Sequence, residues 1–252
     1  MRKILSVFVP ALVLLLAAAP LAAQDGGGTL ARVTFWSVND VAGFEAGLVA
    51  HNAFHAAQKD PSALHTWQII SGERTEQYVH ASFGHTWADF DAEEKMAPAD
   101  DADSAVHLTP FITHSEPGTY RFIPEISRPA AGGPTPLARI LVFHVKFGMS
   151  RQFEGAVAKI HAALNEVEDW GSYFWYERVE GGPVPTYVVS LPSANWAGFA
   201  PHEPGLAAVV GKEYGDQAAA IFEALEGAVE SEDTYTIAYR KDLSHIPSAA
   251  TE

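Results

Sequence analysis

Leu30-Ala31-Arg32-Val33 returns 107 residues later as Leu137-Ala138-Arg139-Ile140. Each tetrapeptide opens a run rich in Val, Ile, Phe and Trp, the composition and length of a β-strand. Working outward, Phe44-Glu45 returns as Phe153-Glu154 at an offset of 109, and Tyr78-Val79 as Tyr187-Val188. Trp87-Ala88-Asp89-Phe90 returns as Trp196-Ala197-Gly198-Phe199. Trp67 is matched to Trp175, and Tyr120 to Tyr235. Common order at nearly constant spacing identifies an internal duplication.

Each copy has the same coarse pattern. Residues 30–38 and 137–146 read as strands and are followed by helices. In the second copy Ser150 is the expected N-cap, and Phe153, Val157, Ile160 and Leu164 form a stripe at helical spacing. The corresponding positions in the first copy are Phe44, Leu48, His51 and His55. Two strands follow, 64–71 and 77–83, mirrored by 172–180 and 185–191, with turns at Ser71-Gly72 and Gly181-Gly182-Pro183. A second helix is expected from Tyr214 to Val229, and a shorter one from Ser104 to Thr113. Strands 119–126 and 233–240 close the units. The order is β-α-β-β-α-β, twice: unit 1 over 29–128, a proline-rich linker over 129–136, and unit 2 over 137–243. Asp91 to Asp103 carries six acids and reads as a solvated loop without a function.

Residues 1–23 read as a secretory signal peptide. Arg2 and Lys3 precede an uncharged apolar run, and small residues end at Ala23, so the expected mature terminus is Gln24 and the expected location periplasmic or secreted. Cleavage removes two of the 16 basic residues and none of the 31 acidic ones, taking the net charge from −15 to −17. Such a surface repels phosphate backbones and anionic lipids, which argues against nucleic-acid and membrane-surface functions. With no cysteine, thiol chemistry and Cys-ligated metals are excluded, and stability rests on a hydrophobic core.

The β-α-β-β-α-β order is that of a ferredoxin-like unit, with a four-stranded antiparallel sheet and helices on one face. A second copy of the sheet is the natural cover for its bare face. On the paired LAR-led strands, the Phe-Glu helices and the two Trp-Ala-x-Phe segments, the chain resembles the dimeric α/β-barrel superfamily in a fused, tandem form, over residues 30–126 and 137–242. The expected fold is α+β, two tandem ferredoxin-like units pairing their antiparallel sheets into one α/β barrel, and the chain is expected to be a monomer. The resemblance implies cofactor-free monooxygenases, haem-degrading enzymes, haem peroxidases, chlorite dismutases or proteins without known activity, with pockets between the helices and sheet of one unit. The haem peroxidases and chlorite dismutases take an axial His from the second helix of the second unit, and 214–229 contains none. That departure argues against a peroxidase.

The two copies differ where chemistry could reside. Unit 1 replaces Ile160 and Leu164 by His51 and His55, and Val189 by His80, and holds seven of the 11 histidines. Residues i and i+4 share a helix face, so His51 and His55 could hold one metal ion or act as catalytic acid–base groups. The competing reading is two partly buried histidines bonded to backbone or water. In His51-Asn52-Ala53-Phe54-His55 an Asn stands where a zinc protease has its Glu, which excludes proteolysis. His80, and less strongly His85, are further ligand candidates, and His161 reads as structural. Trp36 and Trp67 are expected to line a pocket with His80, whereas Trp87 and Trp196, kept in both copies, are expected in the core. These residues suggest an exported protein that binds a small apolar, aromatic or haem-like molecule in a His-bearing pocket of unit 1, with oxygenase-type chemistry as the reaction the resemblance implies. The alternative is a non-catalytic structural or interaction scaffold. No cofactor is identified by the sequence.

Overall fold

A computed structural model describes residues 28–130 and 132–247. The expected signal peptide and its cleavage site lie outside these residues. Unit 1 comprises β1 (Leu30–Val38), α1 (Val41–Gln58), β2 (His65–Ser71), β3 (Tyr78–His85), α2 (Trp87–His107) and β4 (Ile112–Phe122). Unit 2 comprises β5 (Leu137–Val145), α3 (Ser150–Asn165), β6 (Phe174–Glu180), β7 (Thr186–Ser193), α4 (Leu206–Tyr214), α5 (Ala218–Ala228) and β8 (Val229–Tyr239). The eight strands close into one barrel in the order β1-β3-β2-β8-β5-β7-β6-β4. All pairings are antiparallel, and the units join through β2 with β8 and β4 with β6. This is the α+β architecture of two βαββαβ units sharing one sheet.

Strand alternation explains the layering. Val33 and Phe35 of β1, Val79 and Ala81 of β3, Ile140 and Val142 of β5, and Ile237 of β8 point into the barrel and form its apolar core. Their neighbours point outward against the helices, as the two-residue period of a strand requires. In unit 2, α3 buries Ile160, Ala163 and Leu164 against Val209, Val210 and Ile221 of α4 and α5. In unit 1, Phe44 and Leu48 of α1 pack on Tyr78, Leu108 and Leu243. Gly47 is needed where α1 meets the end of α2, since a Cβ there would lie 1.9 Å from the carbonyl oxygen of His107.

Several expectations are corrected. Residues 91–103 belong to α2, which begins at Trp87; the Thr86 N–H donates to Asp89 Oδ2 at 2.6 Å, tying down the first turn. No apolar stripe announces this helix because no described side chain along it is buried. The second helix of unit 2 is two helices, parted around Gly215 at a φ of +54°. Met149, not Ser150, caps α3. Glu45 and Glu154, at matching places in α1 and α3, accept hydrogen bonds from Tyr78 and Tyr187, at 2.6 and 2.5 Å.

The register also revises two matches. Trp67 opposes Val79 and Tyr176 opposes Val188, so the structural counterpart of Trp67 is Tyr176. Trp175, one residue away, faces the helices. Likewise Ala31 opposes Tyr120 and Ala138 opposes Ile237, so Tyr120 corresponds to Ile237, not Tyr235. Trp87 and Trp196 are not core: they are 56% and 58% exposed. What keeps them in both copies is a local stack. Trp87 packs on Phe90, over which Arg32 lies at 4.7 Å, and Trp196 packs on Phe199, over which Arg139 lies at 4.5 Å. The repeated LAR and Trp-Ala-x-Phe segments therefore meet in space.

Candidate functional site

The histidines of α1 find their polar partners on α2 and in the turn that follows α1. His51 is 5% exposed, and its Nδ1 lies 2.7 Å from Asp103 Oδ2. His55 Nδ1 lies 2.8 Å from Asp60 Oδ2. Asp60 reaches back because Lys59, the C-cap of α1, adopts the left-handed conformation at a φ of 57° and reverses the chain. The two Nε2 atoms are 3.1 Å apart. Asp100 Oδ1 completes a triangle with them, 3.4 Å from His51 and 3.3 Å from His55. That oxygen is buried and accepts no hydrogen bond. Two imidazoles and three carboxylates from α1, the turn after it, and α2 thus form one polar cluster between the helices. Ile160 and Leu164 occupy the corresponding places in unit 2, among apolar neighbours.

His80, Trp36 and Thr66 form a separate group between the sheet and α1. Trp36 stacks on His80 with ring centroids 4.9 Å apart. The Thr66 hydroxyl donates to Leu243 O at 2.8 Å and lies 2.9 Å from His80 Nδ1, so that nitrogen carries the proton. Burial, reinforced by His51 and His55, pushes His80 down to about 3, and the ring is neutral. His85 bonds to Ser82 at 2.7 Å, and His161 to Tyr173 and Asn165, each within its own unit.

Trp67 lies on the opposite face of the sheet, inside the barrel. It lines an apolar cavity of about 230 Å3 with Phe35, Phe83, Tyr120, Tyr176 and Tyr235. Gly132, Gly133, Pro134 and Thr135 of the linker also line it, so this segment contributes to the wall instead of only spacing the units. Burial raises the Tyr176 and Tyr235 phenols well above their ordinary range, and both are neutral. Beside Trp67 and Phe83 stands His65, its Nδ1 3.1 Å from the Tyr239 hydroxyl. Burial holds His65 down to about 4.

Sequence reading missed Asp60, Asp100, Asp103, His65 and Tyr239. Asp100 and Asp103 were hidden in an acid-rich run, where a three-residue spacing on one helix face was the available signal. Asp60 and His65 carry no local signal, because the turn and the barrel curvature bring them into place.

No protein-family model and no curated protein sequence matches the chain. Solved structures do. A Lactobacillus acidophilus protein provisionally named a monooxygenase aligns over 87% of this chain and 97% of its own, at 13% identity and a TM-score of 0.54. A Fusobacterium nucleatum protein provisionally named in the same way aligns over 84% and 92%, at 8% identity and 0.55. A mutant chlorite dismutase of Candidatus Nitrospira defluvii aligns over 84% and 92%, at 9% identity and 0.50. The fold is the dimeric α/β barrel. Here both halves of the barrel come from one chain. In this barrel neither α4 nor α5 carries a histidine.

Proposed function

We propose that this protein is an exported binder of a small apolar, aromatic molecule, held inside the barrel. The observation that carries this reading is the cavity of about 230 Å3, walled by Trp67, Phe83 and three tyrosines. An apolar cavity of about 150 Å3 takes benzene, and drug-sized pockets begin near 300 Å3, so a ligand of one or two rings suits this one. Aromatic walls supply edge-to-face and stacked contacts, and the neutral phenols can hydrogen-bond a single polar substituent. The monooxygenase names carried by two fold neighbours accord, by analogy of fold, with a small-molecule ligand. Export rests on residues 1–23, and the net charge argues against nucleic-acid partners. No helix among the described residues is long and apolar enough to cross a membrane. Because the barrel closes on itself within one chain, light scattering on the purified protein is expected to give a monomer mass.

The test is titration with a naphthol-type probe, read by quenching of tryptophan fluorescence and by calorimetry. Saturable one-to-one binding is expected, abolished by Ala138→Phe, which fills the cavity from β5. Absence of binding, or unchanged binding in Ala138→Phe, overturns the reading.

A further inference from the structure

We infer that His51, His55 and Asp100 form a binding site for a first-row divalent transition-metal ion, zinc being the first candidate. This inference does not rest on the barrel cavity. His51 Nε2, His55 Nε2 and Asp100 Oδ1 are mutually 3.1, 3.3 and 3.4 Å apart. Donors about 2.1 Å from a common ion are separated by about 3.0 Å at right angles and about 3.4 Å at the tetrahedral angle. The triangle therefore has the size that three ligands of one ion require, and these three residues alone among the described ones make such a group.

The partners of the other ring atoms point the same way. Each Nδ1 faces a carboxylate, Asp103 for His51 and Asp60 for His55. A carboxylate only accepts, so each Nδ1 carries a proton, and in a neutral ring that leaves a lone pair on Nε2. Two lone pairs and an unpartnered carboxylate oxygen then converge on one point. With both rings neutral this arrangement is repulsive without a cation, relieved only in part by the Ser104 hydroxyl, 3.5 Å from His51 Nε2. The outer carboxylates are what metal-bound imidazoles ordinarily have: they fix the ring orientation and increase its basicity. Ligand type narrows the ion. Two imidazoles and one carboxylate favour zinc, iron(II), cobalt or manganese over calcium and magnesium, which take oxygen ligands.

The site is open. Three protein ligands leave at least one coordination position of a four-coordinate ion, which a water or a further ligand would fill. The fold supplies a further reason for an ion here. No described side chain of α2 is buried. An ion joining His51 and His55 of α1 to Asp100 of α2 would fasten the two.

The experiment uses the full mature chain, stripped by chelator dialysis and titrated with Zn2+ and Co2+ in excess Mg2+ and moderate salt, which suppresses non-specific binding to the acidic surface. One equivalent is expected, with visible Co2+ bands of a low-symmetry, four- or five-coordinate centre and a Zn2+-dependent rise in melting temperature. Asp100→Asn, nearly isosteric, is expected to remain folded and lose the rise. Asp103→Asn weakens binding by about 10–100-fold, the effect of losing a carboxylate behind an imidazole ligand. His51→Ile/His55→Leu, the unit 2 residues, abolishes binding while naphthol binding in the barrel persists. Failure of the wild-type chain to bind either ion, or equal binding by Asp100→Asn, overturns the site and leaves a histidinium–carboxylate network. Should the double variant not fold, the two Asp variants still decide the matter.

Discussion

The helical layers of units 1 and 2 began as one design and are now held together by different physics. On α3, Ile160 and Leu164 close an apolar layer with Val209, Val210 and Ile221. On α1 the same stripe begins with Phe44 and Leu48, both fully buried, and then turns polar at His51 and His55. The second helical element diverged in step. In unit 2 it is short, broken and apolar on its inner face; in unit 1 it is a 21-residue, acid-rich helix that meets the imidazoles with Asp100 and Asp103. One change without the other would leave charge facing hydrocarbon or imidazoles facing nothing. This layer can therefore be exchanged only as a set. The barrel wall beneath it tolerates smaller departures, such as His65 where unit 2 has Phe174.

The largest effect is expected from writing unit 1's residues into unit 2. Ile160→His/Leu164→His places two imidazoles in an apolar layer without carboxylates, and is expected to destabilise the fold by about 4 kcal/mol in denaturant melts. The reverse exchange, in metal-free protein, is expected to change stability by less than about 1 kcal/mol, since the added apolar burial is offset by the stranded Asp100 and Asp103. Equal losses from the two exchanges would mean that the layers are not distinct.

Inside the barrel the two units differ at His65, where unit 2 has Phe174. The unfolded chain protonates it near pH 6.5 and the folded chain only near 4, because the buried cation is disfavoured. Its contribution is therefore whole above pH 6.5 and is lost as the pH falls from there to 4, by about 3 kcal/mol. His65→Phe, the unit 2 residue, should remove that part of the acid sensitivity. Parallel pH profiles for wild type and variant would show that the imidazole is already charged in the fold.

A smaller contrast is set by the paired Tyr–Glu bonds. Glu45 is also held by Arg240 at 2.5 and 2.9 Å, which keeps its carboxyl below the ordinary range. Tyr78→Phe should thus cost about 1 kcal/mol and Tyr187→Phe about 2 kcal/mol. Reversed magnitudes would show that Arg240 does not support Glu45. The smallest effects belong to the exposed stacks: Trp87→Ala and Trp196→Ala should each shift stability by less than about 1 kcal/mol, with similar values in both units.

Much of this molecule was legible in one dimension. Element order, the two units and the barrel follow from recurrence and strand alternation, because a sheet with one covered face demands a second cover and the chain carries its own copy. The anomaly at His51 and His55 was legible too, since an apolar period interrupted at i and i+4 is a local pattern. Three-dimensional packing alone decided which way those imidazoles look and what they meet. An acid-rich run with no apolar stripe gives no hydrophobic signal of a helix, so Asp100 and Asp103 could be placed only once α2 had packed against α1. Single-residue register likewise escapes sequence matching: Trp67 and Trp175 look equivalent in order, yet one residue of offset puts them on opposite faces of the sheet. The sequence determined by itself that the chain is a duplicated barrel with an altered first helix, because those properties are periodic. Tertiary structure decided the ligand triangle and the aromatic cavity, because both are made of residues that meet only when the barrel closes.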